Sequence, residues 1–289
     1  MRFTTIVSTE ELAKHMDDPS WIVFDCQHDL GNSSFGKTAF SIEHIPGARF
    51  FHMDNDAAGA KTGTNGRHPL PPPETLVAKL GKMGVDGDKQ VVVYDGSDGM
   101  YCGRLWWMLR WLGHDAVAVL DGGLGKWQKE KRPVTNENPT MAATKFLPKI
   151  RNEMQVDANF LIAHLGLMDV SIIDARAPER YTGAKETIDP LAGHIPGAFN
   201  RFFKLNLKPD GTFKTPEELR YEFAPLVGEM PVEDIVHQCG SGVTACHNLL
   251  AMEIAGYTGS KLYPGSWSEW CSDPMRPMAA GHGSLAHGL

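Results

Sequence analysis

The chain repeats the same landmarks twice in the same order, and no other feature of its 289 residues constrains the fold as strongly. The segment EHIPGARF at residues 43–50 recurs as GHIPGAFN at residues 193–200. An apolar stretch that ends in aspartate precedes each copy, WIVFD up to Asp25 and SIID up to Asp174. The distance from that aspartate to the histidine of HIPGA is 19 residues in the first copy and 20 in the second.

Further landmarks match downstream of each HIPGA copy. A short apolar strand pattern comes first, QVVVYDG at residues 90–96 and DIVHQCG at residues 234–240. A helical stretch follows each strand, and AVLDGGLGKW or KLYPGSWSEW comes after that helix. We infer a tandem duplication of an α/β domain. Short apolar strands that alternate with helices predict, in each copy, a mostly parallel sheet flanked by helices on both faces.

The duplication also predicts where the domains begin and end. Two domains agree with the length of the chain, because a typical domain has about 100–200 residues. The stretch PVTNENPTMAATKFLPK has no sustained periodicity, which is typical of a linker. We predict an N-terminal domain over residues 1–134, a linker over 135–152, a C-terminal domain over 153–280 and a flexible tail over 281–289.

Charge and cysteine content exclude several kinds of partner. A net charge of −7 disfavours binding to nucleic acid or to an acidic membrane surface. No apolar run approaches the roughly 20 residues of a membrane helix, and the N-terminal stretch has no apolar signal region. The cysteines are odd in number, scattered and without a CxxC pair, so we expect free thiols in the cytoplasm and no metal site. They are Cys26, Cys102, Cys239, Cys246 and Cys271.

The stretch HQCGSGVTACHN at residues 237–248 is the candidate catalytic loop. A strand pattern ends at Cys239, and a helix is predicted to begin near Val243–Thr244. The two glycines between them allow a tight turn whose N–H groups face inward, and such a turn at a helix N-terminus binds anions. The anion here would be the Cys239 thiolate, an active nucleophile. The alternative is a small buried side chain without chemistry. The loop residues expected to bind substrate are Gly240, Gly242, Val243 and Thr244.

Two classes of enzyme use a loop of this kind. Cysteine phosphatases and arsenate reductases need an arginine six residues after the cysteine, where this chain has Ala245. The loop is also short and neutral for a phosphate. It suits a transferred sulfur atom, because a ring of N–H donors would stabilise a persulfide anion.

Four motifs together resemble the two-domain rhodanese sulfurtransferases: CGSGVTA, the paired HIPGA segments, DARAPERY and PGSWSEW. The resemblance covers about residues 5–278. It implies a pair of similar α/β domains of which only the C-terminal one carries the cysteine. The equivalent N-terminal position is Asp95. A loop of the form C-G-S/T-G-V-T is typical of the members that use 3-mercaptopyruvate, whereas thiosulfate enzymes usually carry Arg and Lys after the cysteine.

The resemblance also implies roles for individual residues. Cys239 is the nucleophile, and Ser241 acts with a histidine of the first HIPGA motif, His44. Arg180 matches the substrate-binding arginine of the family, and a planar guanidinium suits a carboxylate. Many family members that use 3-mercaptopyruvate carry a second arginine about nine residues later, where this chain has Asp189.

These inferences predict a sulfurtransferase that works through a Cys239 persulfide without metal or organic cofactor. The donor is a small anion, 3-mercaptopyruvate, and the acceptor is cyanide, a thiol or a thioredoxin-like protein. We expect a monomer. The alternatives are a thiosulfate:cyanide sulfurtransferase that uses the same cysteine, and a non-catalytic sulfur-carrier or regulatory rhodanese module.

Overall fold

The first repeat forms a five-stranded sheet in the computed structural model, which describes residues 2–282. Its strands are β1 (Ile6–Val7), β2 (Trp21–Asp25), β3 (Arg49–Phe50), β4 (Gln90–Tyr94) and β5 (Val117–Leu120). They lie in the order β1-β5-β4-β2-β3, and every pairing is parallel. Strand β4 is buried along its whole length, as a strand covered on both faces must be.

Helices cover this sheet and complete its core. They are α1 (Thr9–Lys14), α2 (Phe35–Ile42), α3 (Pro73–Lys82), α4 (Cys102–Trp111) and α5 (Gly123–Lys129). Helix α1 begins where the Ser8 hydroxyl accepts a hydrogen bond from Glu11 N at 3.1 Å. Trp127 of α5 packs with Val92 and Tyr94 of β4 in the buried core.

The second repeat forms a four-stranded parallel sheet. Its strands are β6 (Ser171–Asp174), β7 (Phe199–Asn200), β8 (Ile235–Gln238) and β9 (Lys261–Leu262), in the order β7-β6-β8-β9. Its helices are α6 (Ala158–His164), α7 (Pro178–Tyr181), α8 (Pro216–Val227), α9 (Thr244–Ile254) and α10 (Ser266–Trp270). Short 3-10 helices lie at Asn152–Met154, Phe203–Asn206 and Val232–Asp234. The predicted α/β duplication with parallel sheets is confirmed.

The chain divides into two compact units that do not follow the repeats throughout. Within the described residues, unit 1 comprises residues 2–59, Leu70–Asn152 and Leu207–Lys214, and unit 2 comprises Ala60–Pro69, Glu153–Asn206 and residues 215–282. The predicted boundaries assign Ala60–Pro69 to the N-terminal domain, but this segment packs with unit 2. Leu207–Lys214 correspondingly packs with unit 1. Both segments occupy the same place in their repeats, after β3 or β7 and before the next long helix.

Hydrogen bonds hold each exchanged segment in its unit. In unit 2, Arg67 N donates to Ser268 Oγ at 3.0 Å, and Ser272 Oγ donates to Thr64 O at 3.2 Å. In unit 1, Phe213 N donates to Asp121 Oδ1 at 2.8 Å. The exchange therefore brings side chains from the first half of the sequence into the unit that contains Cys239.

The predicted linker belongs to unit 1 and runs along its surface. Thr144 N donates to Gly81 O, and Lys149 N donates to Leu112 O, each at 2.8 Å. Most of the predicted tail, residues 283–289, lies outside the described residues. Among the helices of residues 2–282, none has both the length and the apolar character needed to cross a membrane.

Candidate active site

Cys239 immediately follows β8 and is 2% exposed. Helix α9 begins at Thr244 with Val243 as its N-cap, which confirms the predicted helix start. The two glycines of the loop have different roles. Gly242 has a φ of 74°, a left-handed conformation that favours glycine. At Gly240 a Cβ would lie 2.7 Å from Arg67 Nη2, so a larger residue there would displace the Arg67 guanidinium group.

The start of helix α10 holds the backbone around the cysteine. Trp267 N donates to Cys239 O at 3.0 Å, and Ser268 N donates to Gly240 O at 2.9 Å. Cys239 N donates to Ser266 Oγ at 3.1 Å. These three bonds fix both peptide groups that flank the Cys239 side chain, so the sulfur has a defined position before any donor binds.

The first repeat indicates how this loop treats an anion. Asp95, at the position that corresponds to Cys239, accepts hydrogen bonds from the amides of Ser97, Gly99, Tyr101 and Cys102 at 2.8–3.0 Å. The loop of unit 1 is therefore an anion cradle filled by its own carboxylate. In unit 2, the amides of Ser241 and Val243 donate to no atom within the described part of the chain.

Ser241 has a histidine partner, but it is not the predicted one. His68 Nδ1 lies 2.8 Å from Ser241 Oγ, and both side chains are buried. His68 comes from the exchanged segment Ala60–Pro69 of unit 2. The prediction that His44 pairs with Ser241 is replaced by a Ser241–His68 pair.

His44 has a structural role that accounts for its place in the HIPGA motif. It is buried in unit 1, where its ring stacks on Phe40 and its Nδ1 lies 2.6 Å from Phe40 O. Its Nε2 lies 3.1 Å from Glu137 O. His194 of the second motif likewise stacks on Tyr181, with Nδ1 2.8 Å from Tyr181 O. The first repeat lacks the cysteine, yet its HIPGA histidine has the same contacts as that of the second repeat. The histidine of the motif therefore anchors the backbone.

Two arginines face the cysteine loop. A Cβ built on Gly240 would lie 3.4 Å from Nη1 and Nη2 of Arg180, the arginine that the sequence predicts, and 2.7 Å from Arg67 Nη2. Burial and then the like charge of Arg180 lower the pKa of Arg67, whereas the nearby charge of Cys239 raises it. Two guanidinium groups therefore lie beside the backbone that follows the nucleophile, one more than the sequence predicts.

Two acids hold these arginines. Asp189 accepts hydrogen bonds from Arg67 Nη1 and, at 2.9 Å, from Arg180 Nη2. Glu186 accepts from Arg180 Nε with both oxygens, each at 3.1 Å. The family resemblance implies an arginine at the position of Asp189. Asp189 instead binds Arg67, an arginine from another segment of the chain.

One group within residues 2–282 brings three metal-ligating atoms together. Single ligand atoms of His28, His52 and Asp54 lie within 4.8 Å of one another. His52 Nδ1 accepts a hydrogen bond from Asp54 N at 3.1 Å, so in a neutral ring the proton lies on Nε2. Neither nitrogen of that tautomer offers an unused lone pair to a metal. The contacts suit a hydrogen-bonded cluster, and we assign no metal to it.

The structure thus brings Cys239, Gly240, Ser241 and Arg180 together and adds His68 and Arg67. Val243 is buried, and Thr244 is partly exposed at the first turn of α9. Sequence reasoning missed the adjacent pair Arg67–His68 because it lies in a glycine- and proline-rich loop without periodicity. The GRHP stretch could have identified this pair, because it contains two adjacent basic residues that the second repeat does not match.

Comparisons with known proteins agree with this geometry. The model of the Rhodanese-like domain family matches residues 8–130 and 157–273, which is most of both repeats. A probable 3-mercaptopyruvate sulfurtransferase of Pseudomonas aeruginosa is 42% identical over 283 residues, which cover 97% of this chain and all of that protein. A thiosulfate sulfurtransferase of Rattus norvegicus is 32% identical over 278 residues, which cover 93% of this chain and 92% of that protein.

A solved structure extends the likeness to three dimensions. The crystal structure of SseA from Escherichia coli, titled as a study of 3-mercaptopyruvate sulfotransferases and the rhodanese fold, superposes with a TM-score of 0.80 at 32% identity. The match covers 92% of this chain and all of the other. The likeness therefore extends over both units of the chain.

Proposed function

This chain belongs to the two-domain rhodanese sulfurtransferases, and from that premise we propose that it moves a sulfane sulfur from 3-mercaptopyruvate through a persulfide on Cys239. One observation carries the proposal: a buried cysteine lies in an anion-binding loop with two guanidinium groups beside it. The arrangement offers a nucleophile for the sulfur and cations for a carboxylate.

The first half-reaction is balanced in atoms and charge. The Cys239 thiolate attacks the thiol sulfur of 3-mercaptopyruvate, a new S–S bond forms, and the S–C bond breaks. The electron pair of the S–C bond goes to the carbon and gives the enolate of pyruvate. The proton that the donor thiol carried ends on that carbon, so pyruvate leaves and Cys239 holds a persulfide anion.

Ser241 and His68 are the groups we assign to that proton. The Ser241 hydroxyl belongs to the cysteine loop, and its 2.8 Å contact with His68 Nδ1 provides a route through which a proton can move. We expect His68→Gln to lower kcat by about a hundredfold or more, in the range of general acid–base catalysis. A wild-type kcat in this variant would remove the histidine from the reaction.

The donor follows from the charges next to Cys239. Gly240 and Ser241 bring no charge to the loop, and the cations that the described structure places beside Gly240 are Arg67 and Arg180. A carboxylate remote from the reacting sulfur suits that arrangement. Thiosulfate is the second candidate, favoured by the likeness to the rat thiosulfate sulfurtransferase. Side-by-side values of kcat/KM for the two donors decide between them.

The second half-reaction passes the outer sulfur to a nucleophile. The acceptors we propose are cyanide in an assay and a thiol or thioredoxin-like protein in a cell. A monomer is part of the same proposal, and so is the cytoplasm, whose reducing conditions suit the five free, buried cysteines.

Mass spectrometry tests the proposal directly. Incubation with 3-mercaptopyruvate should add the mass of one sulfur atom, about 32 Da, to the wild-type protein, and Cys239→Ser should abolish both this shift and turnover. Cys246→Ser is the matched control, because Cys246 is buried seven residues further on and its thiol donates to Gly242 O at 3.3 Å, a bond that a serine can keep. Turnover by Cys239→Ser at the wild-type rate would refute the assignment.

A further inference from the structure

We propose that Asp189 is a positioning residue that also sets donor specificity. It aims Arg67 and Arg180 at the cysteine loop, and its charge makes the site prefer a donor with one negative charge over a dianion. This inference deepens the proposed function and rests on it.

Asp189 bridges the two arginines through its carboxylate group. Each carboxylate oxygen of Asp189 binds a different guanidinium group, Oδ1 that of Arg67 and Oδ2 that of Arg180. The Asp189 side chain is 2% exposed, so water does not compete for these bonds. Arg67 comes from Ala60–Pro69 and Arg180 from α7, which are far apart in sequence. Asp189 is the group that ties the two cations to each other.

The bridge leaves one side of each guanidinium group available. Arg180 uses Nε and Nη2 on the two acids, and Arg67 uses Nη1. Arg180 Nη1 and Arg67 Nη2 form no hydrogen bond with any residue that the structure describes. Arg67 Nη2 lies 2.7 Å from the position of a Cβ on Gly240, and Nη1 and Nη2 of Arg180 both lie 3.4 Å from it. The acids therefore hold both guanidinium groups beside the backbone next to Cys239, and each group keeps an unused donor there.

The charges of the cluster cancel. Arg67 and Arg180 contribute two positive charges, and Asp189 and Glu186 contribute two negative ones. The cluster therefore attracts a donor mainly through the guanidinium N–H groups that lie beside the cysteine loop, and little through net charge. Removal of one acid makes the cluster more positive by one unit, and a dianion such as thiosulfate gains about twice as much from that change as a carboxylate does.

Asp189→Asn tests the charge, because asparagine keeps the shape and one acceptor oxygen. We expect the ratio of kcat/KM for thiosulfate to kcat/KM for 3-mercaptopyruvate to rise about five- to tenfold, the effect of removing one negative charge close to the donor. Glu179→Gln is the matched control, because this exposed acid on α7 changes net charge equally without touching the cluster. A ratio that stays the same or falls in Asp189→Asn overturns the proposal.

Arg67→Lys tests the positioning separately, because lysine keeps the charge and loses the forked donors. We expect kcat/KM to fall about tenfold for both donors through a higher KM, with their ratio unchanged. An unchanged KM for both donors contradicts the positioning role. If Asp189→Asn does not fold, Arg67→Lys still tests the positioning role.

Detection of the persulfide distinguishes a failure of the proposed function from a failure of the role inferred for Asp189. If the wild-type protein gains no sulfur with either donor, the proposed function fails and the role of Asp189 falls with it. If Cys239 gains sulfur but the ratio stays constant in Asp189→Asn, the function stands and only the specificity inference is wrong.

Discussion

Ser266 illustrates at the scale of one residue how the cysteine is held. Its φ is 54°, a left-handed value, and the corresponding residue of the first repeat is Gly123 with a φ of 55°. A side chain other than glycine in this conformation costs about 1–2 kcal/mol. The hydroxyl accepts from Cys239 N and donates to Tyr263 O at 2.9 Å. The strained serine thus supplies a bond to the nucleophile that glycine cannot supply.

Two variants separate that bond from the strain. Ser266→Ala should slow single-turnover persulfide formation about fivefold, because the Cys239 amide loses its partner, worth about 1 kcal/mol. Ser266→Gly should be equally slow but melt at a higher temperature than Ser266→Ala, because glycine adopts the left-handed conformation without strain. Persulfide formation at the wild-type rate in Ser266→Ala would contradict this role.

Asp25 and Asp174 end equivalent strands but have different partners. Arg176 donates to both oxygens of Asp174, whereas Gln27 stands at the corresponding place beside Asp25. Burial is the main reason why the pKa of Asp25 rises from 3.8 to about 6. Within residues 2–282, the buried carboxyl group of Asp25 has no ion pair.

Stability should depend on pH through Asp25. The folded state keeps the proton up to about pH 6, and the unfolded state releases it near pH 3.8, so this contribution to stability is lost as pH rises between them. Relative to Asp25→Asn, the wild-type protein should lose about 2 kcal/mol of unfolding free energy between pH 4 and 7, since one pKa unit corresponds to about 1.4 kcal/mol and the unfolded state has already released part of its proton at pH 4. Urea titrations at several pH values measure the difference, and parallel curves would contradict the assignment.

At the scale of elements, the loops that precede α4 and α9 have the same position but hold different anions. Asp95 fills the first loop with four amide hydrogen bonds. Asp95→Ala should lower the unfolding free energy by at least about 3 kcal/mol, because buried amides would lose a charged acceptor. The exposed carboxylate of Asp88 is the control, and Asp88→Asn should change stability by less than about 0.5 kcal/mol. Equal urea midpoints for Asp95→Ala and wild type would contradict the prediction.

The sequence predicts these elements better than it predicts their side-chain partners. The parallel sheets follow from strand patterns and repeated landmarks, and Cys239 follows from a local loop. Ser241–His68 and Arg67–Asp189 join residues more than 120 positions apart, and neither periodicity nor a local motif specifies such pairs. The prediction that His44 is the partner of Ser241 was wrong, because the sequence does not distinguish a histidine that anchors a turn from one that moves protons.

At the scale of the whole molecule, neither half of the chain contains a complete unit 2. A fragment of residues 153–289 keeps Cys239, Ser241 and Arg180 but lacks Arg67 and His68. We expect its kcat/KM to be at least about a hundredfold below that of the full chain, since an acid–base group and a cation are missing. Addition of a fragment of residues 1–152 should restore part of the activity. Full activity of residues 153–289 alone would show that the exchanged segment is dispensable.

The exchange of Ala60–Pro69 also bears on the history of the chain. A gene duplication usually leaves one copy free to decay once the other performs the reaction. Here, loss of the copy without the nucleophile would remove Arg67 and His68 as well. Selection on the repeat that carries Cys239 would then also preserve the first repeat, which supplies Arg67 and His68 to unit 2.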